Sequence, residues 1–277
     1  MGYIKSPLNY VGGKYKLLTQ ILPLFPENIK TFYDIFGGGG NVSINILADK
    51  IVYNDLSIQV VQILEAFKKT NIENMLHEID HYIESFGLSK TNKDGYLKLR
   101  EDYNQAIEKN PVQLYTLICY AFNNQIRFNS KGEYNMPFGL NRSSFNPTLK
   151  EKFVAFCKEL QAKNIAFTNS DFRDYSDLNF HADDFVYCDP PYLNTSACYN
   201  ERDGWTENDE LDLYSFLEAL PVKWALSNNL ATNALLEEWA RDKKYNIHYL
   251  NNSYSNANYH KKDKTGKDME VLITNFD

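Results

Sequence analysis

The chain reads as an α/β protein, a doubly wound sheet that ends in an antiparallel hairpin and carries an inserted helical subdomain. Three observations predict this. Residues 31–55, TFYDIFGGGGNVSINILADKIVYND, run strand, glycine turn, helix, strand and acid, the first half of a nucleotide-binding sheet. Residues 58 to about 124 then change to long amphipathic stretches with no strand signal. Beyond residue 163, short apolar strands return and alternate with helical segments.

Taken in order, the first strand spans Thr31 to Ile35, the glycines follow, and a helix opens near Asn41. The second strand, KIVYNDLS, ends at Asp55. The helical block contains VVQILEAFKK, NMLHEIDHYIESF, GYLKLREDYNQAIEK and PVQLYTLICYAFNN. QIRFNSKGEYNMPFG then places two polar–aromatic runs around a turn at Ser130-Lys131-Gly132, the pattern of a β-hairpin at about 125–138. A helix from about Leu149 to Ala162 leads into strands in IAFTNSDF, DDFVYCDPPY, VKWALSNN, NIHYLNN and EVLITNF. Two further helices fall at about 211–220 and 231–242. The link between the last two strands has no helical signal, hence the antiparallel end. Residues 1–57 and 151–277 are the expected catalytic unit, and 58–150 the inserted one.

With 277 residues, nearly half of them apolar or aromatic, a packed core is assured. The opening MGYIKSPLNY has no apolar leader, and no stretch is long enough to span a bilayer. Cys119, Cys157, Cys188 and Cys198 are scattered, without a CxxC or a paired histidine. That pattern argues for a reducing compartment and against a zinc site, so the expectation is a cytoplasmic protein without a metal.

A net charge of −7 argues, taken alone, against a nucleic-acid partner. The charge is clustered, however. Residues 126–152 hold Arg127, Lys131, Arg142, Lys150 and Lys152 against Glu133 and Glu151. The run NYHKKDKTGK, 258–267, carries four lysines against one aspartate, while 203–212 is acidic. Ordinary solvated faces would account for these clusters; so would a local phosphate-binding surface.

FGGGGN, Phe36 to Asn41, lets backbone approach a ligand closely. It lacks the GK[ST] of a Walker loop, and Val42 stands where a dinucleotide fingerprint needs its third glycine. A ligand without a pyrophosphate remains, and S-adenosylmethionine fits. Asp55 can accept both ribose hydroxyls, and Asp34 can orient the loop or face the amino-acid end. A plain tight turn is the alternative.

Asp189-Pro190-Pro191-Tyr192 is the sharper signal. A residue before proline is pushed out of the helical region, and proline fixes its own φ. Asp189 is therefore held extended at the carboxyl end of a strand, where open α/β sheets bind ligands. Its carboxylate and the Pro190 carbonyl are two acceptors beside the flat Tyr192 ring. They match the exocyclic amino group of a planar base, which suits N-methylation of adenine. A strand ending in a rigid turn is the bland alternative.

On these residues the chain resembles the Dam-type, α-group (D12 class) DNA adenine N6-methyltransferases, nearly end to end. Asn9 to Lys14, NYVGGK, is similar to that family's N-terminal cofactor motif. DIFGGGGN resembles its glycine motif, Asp55 its ribose acid, and DPPY its catalytic motif, in the α-group's order. The resemblance implies a class I S-adenosylmethionine-dependent fold with a helical target-recognition subdomain. It implies a cofactor site of Tyr10, Lys14, Asp34, Phe36, Gly37, Gly38, Gly39, Asp55, Asp171, Phe172 and Asp189. Asp189, Pro190, Pro191 and Tyr192 would hold the target adenine, flipped out of double-stranded DNA. Arg127, Asn129, Lys131, Pro137 and Arg142 are the DNA-binding candidates at the hairpin. Tyr259, His260 and Lys261 are candidates in YSNANYHKKDKTGK, expected to be a mobile loop near the target adenine or the backbone.

The site implied is a short GAT-containing sequence such as GATC, although Ser130-Lys131 and Leu140-Asn141-Arg142 depart from the family pattern. A cognate restriction endonuclease is the implied partner, and the protein would be a monomer or weak dimer, nucleoid-associated when acting on DNA. An RNA adenine methyltransferase, which usually has asparagine in place of Asp189, stays open. So do an inactive DNA-binding module and amino-N4-cytosine methylation.

Overall fold

The computed structural model describes residues 2–194, 204–251 and 269–277. Among the described residues seven strands form one sheet: β1 (Thr31–Asp34), β2 (Lys50–Asn54), β3 (Ile165–Thr168), β4 (Phe185–Cys188), β5 (Lys223–Asn229), β6 (Asn246–Tyr249) and β7 (Glu270–Thr274). Their order is β3-β2-β1-β4-β5-β7-β6, parallel except that β7 runs antiparallel to β5 and β6. This is the expected doubly wound sheet with an antiparallel end.

The strands are aromatic and β-branched because both faces are covered. Alternate residues of β4 go to opposite sides: Phe185 and Tyr187 join one apolar cluster, Val186 and Cys188 another. On the first face lie Phe25, Phe32 and the short helix α1 (Leu18–Ile21), with Phe25 4.8 Å from the Phe185 ring. The second face is closed by α7 (Glu207–Ala219) and α8 (Ala234–Asp242), where Trp239 stacks on Tyr214 at 4.0 Å.

The remaining helices are α2 (Ile58–Lys69), α3 (Ile72–Ser85), α4 (Lys93–Gln105), α5 (Pro111–Tyr120) and α6 (Pro147–Ala162). Asparagine starts four of them. Asn71, Asn92, Asn110 and Asn146 each accept first-turn N–H bonds, caps worth about 1 kcal/mol apiece. Phe67 joins α2 to α5 and α6, edge-on to Tyr115 and Phe153 at 5.0 Å. The same cluster reaches Tyr53 of β2, so helices and sheet share apolar core.

Two local expectations need correction. Residues 41–45 are a run of turns, not a helix. Their polar side chains bond elsewhere: Asn45 exchanges 2.7 Å bonds with the Ile4 main chain, and Asn41 accepts from the Ser6 N–H at 3.0 Å. The 125–138 hairpin makes its turn, with Gly132 N–H donating to Asn129 at 2.9 Å. It has only isolated bridges, Phe128 with Tyr134 and Ala121 with Phe138, instead of two ladder strands. The Asn129 side chain, accepting from the Lys131 and Glu133 N–H groups, takes over bonds a ladder would supply.

Candidate active site

Strand order creates the site. Successive strands run outward in opposite directions from β1 and β4, so a crevice opens beyond their carboxyl ends. Asp34 pairs with Tyr187 across that junction, and Asp189 follows two residues later. A cavity of about 970 Å³ lies there.

Asp34 is buried at the end of β1, its Oδ2 accepting from Ser43 at 2.5 Å. Its Oδ1 is buried without a hydrogen-bond partner. Burial is the main cause that pushes its carboxyl up to about 7. Two glycines of the adjacent loop are structurally required. A Cβ on Gly37 would lie 2.1 Å from the Tyr53 ring, and Gly38 has φ +51° with Tyr10 against it. Tyr53 locks the loop by donating its hydroxyl to Gly38 O at 2.6 Å.

Asp55, at the end of β2, accepts from the N–H groups of Gly38 and Ser57, each at 2.8 Å. Burial raises it to about 6 against the pull of those two bonds. Asn54 beside it donates to Ile35 O and Ser170 O, both at 2.9 Å. It thus staples the loops after β1 and β3. Asp171 and Phe172 follow β3; Asp171 pairs with Arg173 at 3.1 Å.

Asp189 leaves β4 with Pro190 and Pro191 buried behind it. Its Oδ1 is 2.7 Å from the buried Lys14 ammonium, which also donates to Gly12 O at 2.8 Å and lies 5.0 Å from the Tyr192 ring centre. Burial raises the Asp189 carboxyl, and Lys14 opposes that rise. Burial would lower Lys14, yet Asp189 carries it well above the ordinary lysine value. Each charge of the pair thus offsets part of the other's burial cost.

Tyr10, Lys14, Asp34, Phe36, Gly37, Gly38, Gly39, Asp55, Asp171, Phe172 and the Asp189–Tyr192 segment all line this one cavity. Arg127, Asn129, Lys131, Pro137 and Arg142 do not. They lie on the hairpin and just after it, Arg127 donating to Asn135 at 2.8 Å and Arg142 to Asn123 at 3.1 Å. Asn9 donates to Asn123 O at 2.7 Å and so ties the base of that hairpin to the cavity's Tyr10 edge. Tyr259, His260 and Lys261 lie outside the described residues. Trp205 and Glu270 also line the cavity without having been singled out. Glu270 was legible as an acid opening the last strand; Trp205 was hidden in a segment read only for its charge.

Cys119, Cys157 and Cys188 are free and buried. Among the described residues no three His, Cys, Asp or Glu side chains gather as metal ligands. Among them, too, no helix is long and apolar enough to cross a membrane.

The family model described as "D12 class N6 adenine-specific DNA methyltransferase" matches residues 10–265. The chain is 48% identical over 285 residues to the type II methyltransferase M.FokI of Planomicrobium okeanokoites, covering 99% of this chain and 43% of that protein. It is 41% identical to the modification methylase StsI of Streptococcus sanguinis, again over 99% of this chain and 43% of the relative. A DNA adenine methylase of Vibrio cholerae is 27% identical over 76% of this chain and 75% of its own. The chain thus spans less than half the length of the first two relatives.

Proposed function

From the premise that the chain belongs to the D12 class of N6 adenine-specific DNA methyltransferases, we propose that it methylates N6 of an adenine flipped out of duplex DNA, with S-adenosylmethionine as donor. The observation that carries this is the meeting of Asp34, the glycine loop and Asp189-Pro190-Pro191-Tyr192 around one cavity. Restriction–modification names among the relatives support a modification role.

The residues fit the cofactor. Asp34 Oδ1, buried and unpartnered, suits its ammonium group. Asp55 keeps lone pairs for ribose hydroxyls beyond the two N–H groups it already accepts. When bound, the cofactor supplies an electrophilic methyl on a sulfonium. The protein's part is positioning and electrostatics. Asp189 and the Pro190 carbonyl accept the two N6–H bonds, favour a pyramidal nitrogen and stabilise the charge that grows on it, an effect of ~3 kcal/mol for one well-placed group. Lys14, 2.7 Å from Asp189, favours the charged form of that carboxylate before the base arrives. Tyr192 stacks on the base, worth about 1–3 kcal/mol.

Residues 58–150 act in this reading as the target-recognition subdomain of a catalytic unit formed by 1–57 and 151–277. Its hairpin enters the groove, with Arg127, Asn129, Lys131, Pro137 and Arg142 toward bases or phosphates. The site is a short GAT-containing sequence such as GATC. The protein works in the cytoplasm on nucleoid DNA, as a monomer or weak dimer, beside an endonuclease acting on the same site.

Asp189→Ala tests the proposal: duplex methylation is abolished while calorimetry shows S-adenosylmethionine binding largely intact. Wild-type-like methylation in that variant would defeat it.

A further inference from the structure

Trp205 is the cavity's large aromatic wall that no sequence motif claims. Its ring lies 5.7 Å from Phe36, nearly perpendicular at 82°, and 5.9 Å from Phe172. Phe36 and Phe172 are themselves 5.7 Å apart. Three rings from three separate segments thus pack on one another into an aromatic wall of the cavity, between the glycine loop and the turn after β3.

The indole is held from behind. Its Nε1 donates to Glu210 Oε2 at 2.5 Å, and Glu210 is wholly buried on α7. The other carboxylate oxygen accepts from Asn228 at 2.8 Å and Asn233 at 2.7 Å. Asn228 lies on β5, next to the cavity residue Asn229, and Asn233 caps α8. These partners are neutral N–H donors, and burial raises the Glu210 carboxyl despite their bonds. A buried carboxylate with only neutral donors is a costly way to fasten a core residue, where an apolar side chain would pack as well.

The start of α7 is fixed from the front too. Thr206 and Asp209 form a capping box, and Arg173 reaches Asp209 at 2.7 Å and Asp212 at 2.8 Å from beside Phe172. Glu210 and Arg173 therefore anchor the start of α7, which Trp205 directly precedes, beside Phe36 and Phe172.

We propose that Trp205 is a cofactor-contacting residue, extending the aromatic wall of Phe36 and Phe172 against the adenosyl part of the methyl donor, and that Glu210 is the positioning residue that orients its indole. The inference rests on S-adenosylmethionine being the cavity's occupant. A flat purine offers faces and edges to three rings, and a neighbouring sulfonium charge favours aromatic walls over aliphatic ones.

The test is S-adenosylmethionine binding to the full chain, followed by calorimetry and tryptophan emission. The wild-type protein binds and its emission is quenched. Trp205→Phe abolishes the quench and changes Kd by roughly threefold or less, since a stacking face remains. Trp205→Ala weakens Kd roughly 5- to 100-fold. Glu210→Gln, whose amide oxygen can keep Asn228 and Asn233 while its N–H2 meets the indole N–H, weakens Kd roughly 3- to 10-fold and reduces the quench. Trp239→Phe, a ring outside the cavity, keeps the full quench.

A folded Trp205→Ala with Kd within about twofold of wild type, or a Trp205→Phe that keeps its quench, overturns the assignment. Wild-type affinity and quench in Glu210→Gln remove Glu210 from it. No binding by the wild-type chain sinks the cofactor reading itself, a result distinct from both.

Discussion

Asp34→Asn separates the cost of the empty site from the gain of the filled one. The wild-type carboxyl is raised from 3.8 to about 7, chiefly by burial. At 1.36 kcal/mol per unit, the ionised group costs the empty fold on the order of 4 kcal/mol above pH 7. The sign follows from proton counts. Between pH 4 and 7 the folded state binds more protons at Asp34 than the unfolded state, so stability falls as pH rises through that window. Asparagine keeps the shape and can still accept from Ser43 without carrying charge. The empty variant should therefore be more stable at pH 8, with Tm higher by roughly 5–15 °C and its advantage shrinking toward pH 5.

The filled state reverses the order. Without the carboxylate an ammonium has no counter-charge in a buried site, a loss of about 3–5 kcal/mol, so S-adenosylmethionine should bind more than 100-fold more weakly. For the same reason wild-type affinity should fall as pH drops from 8 to 6 and Asp34 takes up its proton. Thermal melts at half-unit pH steps, with and without the cofactor, measure both effects. An Asp34→Asn protein less stable than wild type at pH 8, or one that keeps the wild-type cofactor-induced Tm shift, would refute the reasoning.

Lys14→Met removes the cation that opposes burial at Asp189, so the acidic limb of the methylation pH profile should move up by about 1–3 units. Activity lost at pH 7 should return at higher pH, and an unmoved limb would take Lys14 out of that role. DNA affinity should fall steeply with salt despite the acidic chain. Arg127→Ala should cost about 1–3 kcal/mol and relax sequence preference, or lower the salt slope by about one if it meets a phosphate; no change in either excludes it from the interface. Sequencing methylated bases in DNA from cells expressing the protein should find N6-methyladenine in a short GAT-containing site. A motif without GAT would discard the site carried over from the family resemblance and leave the chemistry untouched.

Much of the fold was legible because its signals are local. Aromatic, β-branched runs bounded by turns located the strands, and amphipathic periodicity located the long helices. The helix expected near Asn41 failed because long-range partners decided that segment: Ile4 and Ser6 bond the asparagines that a helix would have pointed outward. At the site, Asp34, Asp55 and Asp189 were legible because each ends an apolar strand, with the glycine loop just after Asp34 and two prolines directly after Asp189. Asn54 and Trp205 were not, since their roles exist only after folding. Asn54 meets Ser170 across 116 positions, and Trp205 meets Phe36 only once α7 is docked.

The two carboxylates at the centre show why position alone does not make chemistry. Asp34 and Asp189 stand at the ends of neighbouring parallel strands and line one cavity, and the charge on Asp189 adds to the burial that raises Asp34. Their surroundings resolve the conflict differently. Asp189 has a resident cation in Lys14, so it stands ready to accept hydrogen bonds from a neutral amino group. Asp34 has a hydroxyl on one oxygen and nothing on the other, so its charge waits for a cation brought by a ligand. One strand end thus suits a positive guest and the other, under the proposed function, a neutral one. In the proposed reading, a methyl donor carrying an ammonium group and an adenine carrying an amino group supply that pair.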